Sequence, residues 1–282
     1  MLNKNISNFM AADAEYNEAR IVLFGAPFDS TTSFRPGSRF APEVIRRESY
    51  GLETYSPYQD KDLTDCRIFD SGDIELPMGS SEKALDAIEK RTAQILKDGK
   101  IPFMTGGEHL VTLGALRAAV KKYPDLYIVH FDAHTDLRED YLGVKLSHAS
   151  VIRRAWELLG DGRIFQFGIR SGEKYEFEWA KQHTFLTKFN FEGLDEAAAK
   201  LKGKNVYFTI DLDVLDPSVF PGTGTPEPGG VSFIELMNAA VKVCSDLNII
   251  GCDTVELSPH YDASGASNAC ACKIIREMLI AL

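Results

Sequence analysis

Short apolar runs alternate along this chain with longer stretches in which apolar side chains recur at helical spacing. The short runs predict buried strands, at 21–25, 100–104, 126–131, 163–169, 206–210 and 248–257. Helical spacing or a helix-start signal predicts helices, at 42–47, 81–96, 110–120, 151–159, 273–282 and from a capping box formed by Ser232 and Glu235. Strands separated by helices favour an α/β protein with a mostly parallel sheet covered on both faces.

Composition and charge narrow the class of protein. Hydrophobic residues make up 44 % of the 282 residues, and no Ser/Gly tract, proline run or charge block suggests a linker, so one domain over 1–282 is predicted. The formal net charge of −10 argues against nucleic acid and is compatible with a cationic substrate. No apolar stretch is long enough for a membrane span, and the polar N-terminus does not resemble a signal peptide, so a cytoplasmic location is expected.

Acidic residues and a histidine crowd the ends of two predicted strands. They are Asp132, His134 and Asp136 after 126–131, and Asp211 and Asp213 after 206–210. On an extended backbone, side chains at alternating positions point the same way, so the members of each segment can converge. Burying like charges is costly unless a cation neutralises them. The two segments together therefore predict a site for more than one divalent metal.

Two further segments belong to the same picture. His109 follows the predicted strand at 100–104 and precedes a helix, which places it at the strand edge where open α/β sheets bind ligands. The glycine- and proline-rich stretch 221–230 lacks the features of a phosphate-binding loop. Either it forms a wall of the site and presents Thr225, or it is a purely structural turn.

Five motifs of this chain resemble those of the ureohydrolases, the family of arginases and agmatinases, in the same order from about residue 20 to 260. They are Gly-Gly-Glu-His at 106–109, Asp-Ala-His-Thr-Asp at 132–136, Ser-His-Ala-Ser at 147–150, Asp-Leu-Asp-Val-Leu-Asp-Pro at 211–217 and Gly-Thr-Gly-Thr-Pro at 222–226. The stretches 226–230 and 137–141 favour the agmatinase branch. Arginases carry small polar residues, including an asparagine, where this chain has Arg138.

The resemblance implies an arginase-like three-layer α-β-α fold and a centre of two manganese ions per chain. By motif, one ion would be held by His109, Asp132, Asp136 and Asp211, and the other by Asp132, His134, Asp211 and Asp213. Asp132 and Asp211 would bridge the ions. Oxygen ligands with one imidazole per metal independently suit manganese.

The resemblance also implies a reaction, in which a hydroxide held between the ions attacks a guanidinium carbon and releases urea and an amine. Asp136 would take the proton and pass it to the leaving nitrogen, and His148 would shuttle protons to solvent. Glu256 would pair with the guanidinium, with Thr225 bracing Glu256. The family's homo-oligomers suggest a trimer or hexamer.

Four functions stay open at this level. Hydrolysis of agmatine to putrescine and urea is favoured. Another guanidino compound such as guanidinobutyrate is the main alternative, because Arg138 could supply a cation for its carboxylate. Arginine is disfavoured by the residues after Asp136. A non-catalytic relative is disfavoured because all six expected metal ligands are present.

Overall fold

The structure is a computed structural model and describes residues 7–282. Its centre is an eight-stranded sheet whose neighbouring strands all run parallel. The chain forms β1 (Ile21–Ala26), a small antiparallel pair of β2 (Tyr55–Ser56) and β3 (Lys61–Asp62), β4 (Ile68–Asp73), β5 (Ile101–Gly106), β6 (Tyr127–Phe131), β7 (Ile164–Ile169), β8 (Phe185–Lys188), β9 (Asn205–Asp211) and β10 (Asn248–Val255). The order across the large sheet is β4-β1-β5-β10-β9-β6-β7-β8.

Helices cover both faces of the sheet. They are α1 (Ala41–Ser49), α2 (Ser81–Lys97), α3 (Val111–Lys122), α4 (Val151–Leu159), α5 (Lys174–His183), α6 (Leu194–Leu201), α7 (Phe233–Asp246) and α8 (Ala266–Ala281). One apolar core joins the sheet to α1, α6, α7 and α8, and the other joins it to α2, α3 and α4. Alternate strand residues serve the two cores: Phe103 and Phe208 face the first, Met104 and Tyr207 the second. The three-layer arrangement predicted from the motifs is confirmed.

Local signals account for most of the elements, and six elements were not predicted from the sequence pattern. The capping box forms as predicted, with the Ser232 hydroxyl accepting from the backbone of Glu235 and the Glu235 side chain accepting in return. The missed elements are β2, β3, β4, β8, α5 and α6. In β4 a buried Asp70 interrupts the apolar run; it is compensated by an ion pair with Arg46, which only the fold reveals. A single domain over the whole chain stays a prediction.

The chain order of the central strands creates a crevice at one edge of the sheet. β10 is the last strand in sequence, yet it inserts between β5 and β9, and β6 lies on the far side of β9. The carboxyl ends of these four strands therefore meet where the direction of strand addition changes, which is the usual ligand position in open α/β sheets. Within residues 7–282, no helix is both long and apolar enough to cross a membrane.

Candidate active site

The deep half of the acidic cluster surrounds His109, which follows β5. Its Nδ1 lies 3.0 Å from Asp132 Oδ2, 3.3 Å from Asp136 Oδ2 and 3.3 Å from Asp211 Oδ2. The imidazole is almost wholly buried, with 1 % of its side chain exposed. Three carboxylate oxygens from the ends of β6 and β9 thus converge on one ring nitrogen. We call His109, Asp136 and Asp211 the deep half.

The outer half of the cluster consists of His134 and Asp213. His134 Nδ1 lies 3.0 Å from Asp213 Oδ2 and 3.5 Å from Asp132 Oδ1. Asp132 therefore presents one oxygen to each half, as a bridging carboxylate would. The six residues predicted as metal ligands all lie in this one cluster, and their assignment to two ions stays a prediction.

The carboxylates are held apart from one another by backbone donors. Asp132 Oδ1 accepts from His134 N at 2.5 Å, Asp211 Oδ1 from Asp213 N at 2.9 Å, and Asp213 Oδ1 from Ala133 N at 3.2 Å. The first two bonds lie within their own segments, whereas the third joins the two segments. The predicted extended backbone is wrong for both segments: Asp136 has a left-handed φ of 53°, and a 3₁₀ turn at Leu212–Val214 brings Asp213 to the cluster.

The electrostatics of the cluster favour a bound cation. Burial, reinforced by repulsion from Asp213 and Asp132, raises the pKa of the Asp211 carboxyl well above its usual range. Burial and repulsion from Asp132 raise the pKa of Asp136 to about 7. Within the part of the chain that the structure describes, His109 Nδ1 is buried without a hydrogen-bond partner although carboxylates surround it. A lone-pair nitrogen and crowded carboxylates are the donor set that a divalent metal would satisfy, so the residues fit the predicted metal centre.

His130 lies close to the cluster but is not placed to be a ligand. Gln166 Nε2 donates to His130 Nδ1 at 3.1 Å and also to Thr135 O at 2.9 Å, which uses both amide hydrogens. Nδ1 therefore accepts, and Nε2 carries the proton that it donates to Asp132 Oδ2 at 2.7 Å. His130 therefore orients Asp132.

Glu256 follows β10 and reaches the cluster from the neighbouring strand. Its backbone N–H donates to Gly107 O at 2.9 Å, and its Oε1 accepts from His109 N at 2.8 Å. Burial, then repulsion from Glu108, raises the pKa of the Glu256 carboxyl well above its usual range. Glu256 and Asp136 both have left-handed backbones, with φ of 65° and 53°. Such conformations are rare for residues other than glycine and are found where a site aims a side chain.

A cavity of about 310 Å³ opens above the cluster. Its lining includes most of the predicted site residues: His109, His134, Asp136, Arg138, His148, Asp211, Thr225 and Glu256. Burial, reinforced by repulsion from His134, lowers the pKa of the His148 imidazole to about 4. His148 lies beside Ser33, whose hydroxyl is 3.2 Å from its Nε2.

Two predicted contacts take a different form. Thr225 lies in the cavity wall, but its hydroxyl donates to Asp213 Oδ2 at 3.3 Å, and the backbone of His109 is what braces Glu256. Arg138 also lies in the cavity wall, and its guanidinium forms ion pairs there. Nη2 is 3.2 Å from Glu173 Oε1, and Nε is 3.9 Å from Glu176 Oε2. The rim of the cavity is therefore more acidic than Arg138 alone suggested.

Comparison with known proteins agrees with this geometry. The model of the Arginase family matches residues 19–281. The agmatinase of Bacillus subtilis (strain 168) is 52 % identical over 275 residues, which cover 96 % of this chain and 95 % of that relative. The chain belongs to the arginase family. The predicted resemblance to agmatinases is thereby confirmed, and the chain is an agmatinase-like hydrolase of that family.

Other members of the arginase family show how far the likeness extends. The agmatine ureohydrolase of Thermoplasma volcanium has a TM-score of 0.89 to this chain at 37 % identity, covering 98 % of this chain and 94 % of that one. The guanidinobutyrase of Pseudomonas aeruginosa is 35 % identical over 283 residues and covers 95 % of this chain and 88 % of that relative. The fold is thus shared by relatives whose names indicate different guanidino substrates.

The structure adds positioning groups that sequence reasoning missed. His109 Nε2 lies 2.9 Å from Thr209 Oγ1, and Thr209 donates to Asp253 Oδ1 at 2.6 Å. Tyr207 donates to Asp253 Oδ2 at 2.7 Å. Because the Thr209 hydroxyl donates its hydrogen to Asp253, its oxygen accepts from His109 Nε2. The His109 proton is then on Nε2, which leaves the lone pair of Nδ1 free to bind metal. A threonine and an aspartate inside apolar strands were the available signal for this chain of contacts.

Proposed function

We propose that this enzyme hydrolyses the guanidinium group of agmatine, giving putrescine and urea. The observation that carries the proposal is the arrangement of the cavity. The cluster of predicted metal ligands forms its floor, the Glu256 carboxylate lies beside that cluster, and Glu173 and Glu176 make its rim acidic. A substrate with a guanidinium at one end and an ammonium at the other is complementary to both regions.

The two manganese ions would be held as the motifs suggest, in the deep and the outer half with Asp132 and Asp211 between them. When bound, such a pair would supply a nucleophilic hydroxide near neutral pH. The thiolate-free oxygen and imidazole donors support manganese over softer metals. The crowding of Asp132, Asp211 and Asp213 supports more than one cation, since one divalent ion would leave the negative charges of the cluster only partly neutralised.

Glu256 would bind and orient the guanidinium. Its Oε1 is held by His109 N, so its other oxygen remains for a planar cation with several donors. The raised pKa of Glu256 means that the free site holds this carboxylate at a cost, which a guanidinium would offset on binding. Holding the reacting carbon within reach of the cluster is worth several orders of magnitude in rate.

Asp136 and His148 would move the protons. Asp136 would accept the proton of the nucleophile and pass it to the departing amine nitrogen. Its carboxylate lies in the cluster and lines the cavity, which supports a group that reaches both the nucleophile and the substrate. His148, between the cavity and Ser33, would exchange protons with solvent.

The far end of the substrate distinguishes agmatine from a guanidino acid. Arg138 is paired with Glu173 and lies 4.8 Å from the centre of the Tyr141 ring, so its charge is already used. This arrangement supports a substrate whose far end is an ammonium group over one whose far end is a carboxylate. Guanidinobutyrate is the second candidate, because the same Arg138 lines the cavity and would attract a carboxylate if Glu173 released it.

The deciding experiment is urea release by manganese-loaded enzyme with agmatine, arginine and 4-guanidinobutyrate at matched concentrations. We expect agmatine to have by far the highest kcat/KM. A preference for 4-guanidinobutyrate would overturn the proposal and direct attention to Arg138. Arg138→Ala should then impair the guanidino acid and spare agmatine, whereas no urea from any substrate with metal verified as bound would refute the hydrolysis.

A further inference from the structure

The segment Gly107–His109 organises more of the site than its one metal ligand. A Cβ at Gly107 would lie 1.8 Å from Phe28 O, so only glycine allows the loop after β1 to approach this closely. Glu108 N donates to Phe28 O at 2.7 Å, which fixes the approach. The loop of residues 27–33 is therefore packed directly against the segment that carries His109.

The Glu108 side chain fastens this loop. It is fully buried, and its two oxygens accept from Thr31 N at 2.9 Å, Thr31 Oγ1 at 2.5 Å and Thr32 Oγ1 at 3.1 Å. Because the Thr31 hydroxyl gives its proton to Glu108, its oxygen can only accept from other groups. It does so from His148 N, at 3.1 Å.

The same loop also holds the His148 ring. Ser33 Oγ lies 3.2 Å from His148 Nε2, while His148 Nδ1 is buried without a hydrogen-bond partner among the described residues. The edge of Tyr141 approaches the ring at 5.8 Å between centroids. The hydrogen bonds that set the position of His148 relative to the cavity thus come from Thr31 and Ser33.

We propose that Thr31, locked by Glu108, is a positioning residue that holds His148 for proton transfer. The inference rests on the proposed hydrolysis, in which His148 exchanges protons with solvent. Glu108 connects this link to the same segment that supplies His109 and braces Glu256. One tight segment at the end of β5 therefore aligns the metal ligand, the guanidinium partner and the proton carrier.

The primary test is Thr31→Val, which keeps the shape of the side chain and removes its hydroxyl. With agmatine we expect kcat to fall about tenfold, less than the 10²–10⁴-fold value of general acid–base help, with KM and metal content unchanged. Added imidazole, a free proton carrier, should restore part of the lost kcat. Thr31→Ser should recover most of the turnover, because it keeps the hydroxyl.

Two comparisons separate this role from a general loosening of the loop. Thr32→Val removes one bond to Glu108 but none to His148, so it should lower kcat less than Thr31→Val. In a His148→Ala background, Thr31→Val should add no further loss, because both changes act on one proton path. Additive losses, loss of metal, or no response to imidazole in Thr31→Val would overturn the proposal.

A measurement without substrate keeps the inference independent of the assigned reaction. Amide hydrogen exchange followed by NMR should show His148 N–H exchanging at least about tenfold faster in Thr31→Val than in Thr31→Ser. Unchanged exchange would refute the positioning role even if agmatine is the substrate. Faster exchange in an enzyme that releases no urea would refute the proposed hydrolysis and leave the Thr31 link to His148 intact.

Discussion

The two histidines of the metal-type cluster have contrasting surroundings. His109 is 1 % exposed, and its Nε2 is anchored through Thr209 to a fully buried Asp253. His134 is 23 % exposed, and within residues 7–282 the acidic oxygen paired with its Nε2, Glu227 Oε1 at 3.8 Å, is beyond hydrogen-bond distance. His109 is thus oriented by a continuous chain of protein contacts, whereas His134 is less buried and lacks such a chain.

This contrast indicates how the two halves divide their tasks. A ring fixed in tautomer and direction binds metal more tightly than one that is free to rotate, because no ordering remains to be done. An ion held by the less constrained His134 should therefore be released first. We therefore expect the deep half to hold metal under dilution or mild chelation that empties the outer half.

The largest effect should come from the residue that both halves share. Asp132→Ala would strip a carboxylate from each half, so we expect bound manganese to fall to near zero and urea release to become undetectable. Metal content by mass spectrometry of the dialysed protein checks this. If two ions remain bound, the bridging role of Asp132 is wrong.

Glu256→Gln should separate metal binding from catalysis. The amide keeps the size of the side chain and its contact with His109 N, so metal content should stay unchanged. It removes the charge that pairs with the guanidinium, and we expect turnover to fall roughly 10²-fold or more. Release of manganese by this variant would show that Glu256 belongs to the metal centre.

Thr209→Val should weaken the deep half alone. The change leaves His109 Nε2 and Asp253 without their shared partner, and we expect the affinity for the more tightly held ion to fall about 10–100-fold. Thr254→Val is the matched control, because the Thr254 hydroxyl on the adjacent strand is buried and has no hydrogen-bond partner in residues 7–282. Titration of metal-free protein with manganese measures both variants, and equal losses would contradict the anchoring role.

The smallest effect should follow Glu227→Gln, at the outer half. Glu227 is 38 % exposed and lies too far from His134 for a hydrogen bond, so its contribution is a screened attraction. We expect less than about a tenfold loss in affinity for the weaker ion, and the loss should shrink in high salt. A loss as large as that of Thr209→Val would remove the distinction between the two halves.

The structure brings the predicted metal ligands together because they lie at strand ends in continuous segments. Asp132, His134 and Asp136 could be read from one such segment. The path of the chain could not, since the 3₁₀ turn that delivers Asp213 depends on a side-chain hydrogen bond to Asp211. Nor could the pairing of Arg138 with Glu173, which brings two distant segments together.

Several contacts and properties cannot be predicted from the amino-acid sequence of one chain. A polar residue inside an apolar strand, such as Thr209 or Asp253, does signal a buried partner, but the pattern does not say which. Thr31 carries no comparable mark, because its role arises from contacts with residues far along the chain. The homo-oligomer, a trimer or hexamer, and the cytoplasmic location stay predictions.

The left-handed backbones at Asp136 and Glu256 affect the stability of the fold as well as the site. Each conformation costs of order 1 kcal/mol, less for aspartate than for glutamate, since short polar side chains tolerate it better. Glycine at either position would relieve the strain but remove a carboxylate of the site, and at Glu256 it would also leave the His109 N–H without its acceptor. The fold therefore keeps this backbone strain at two positions because the site needs the side chains there.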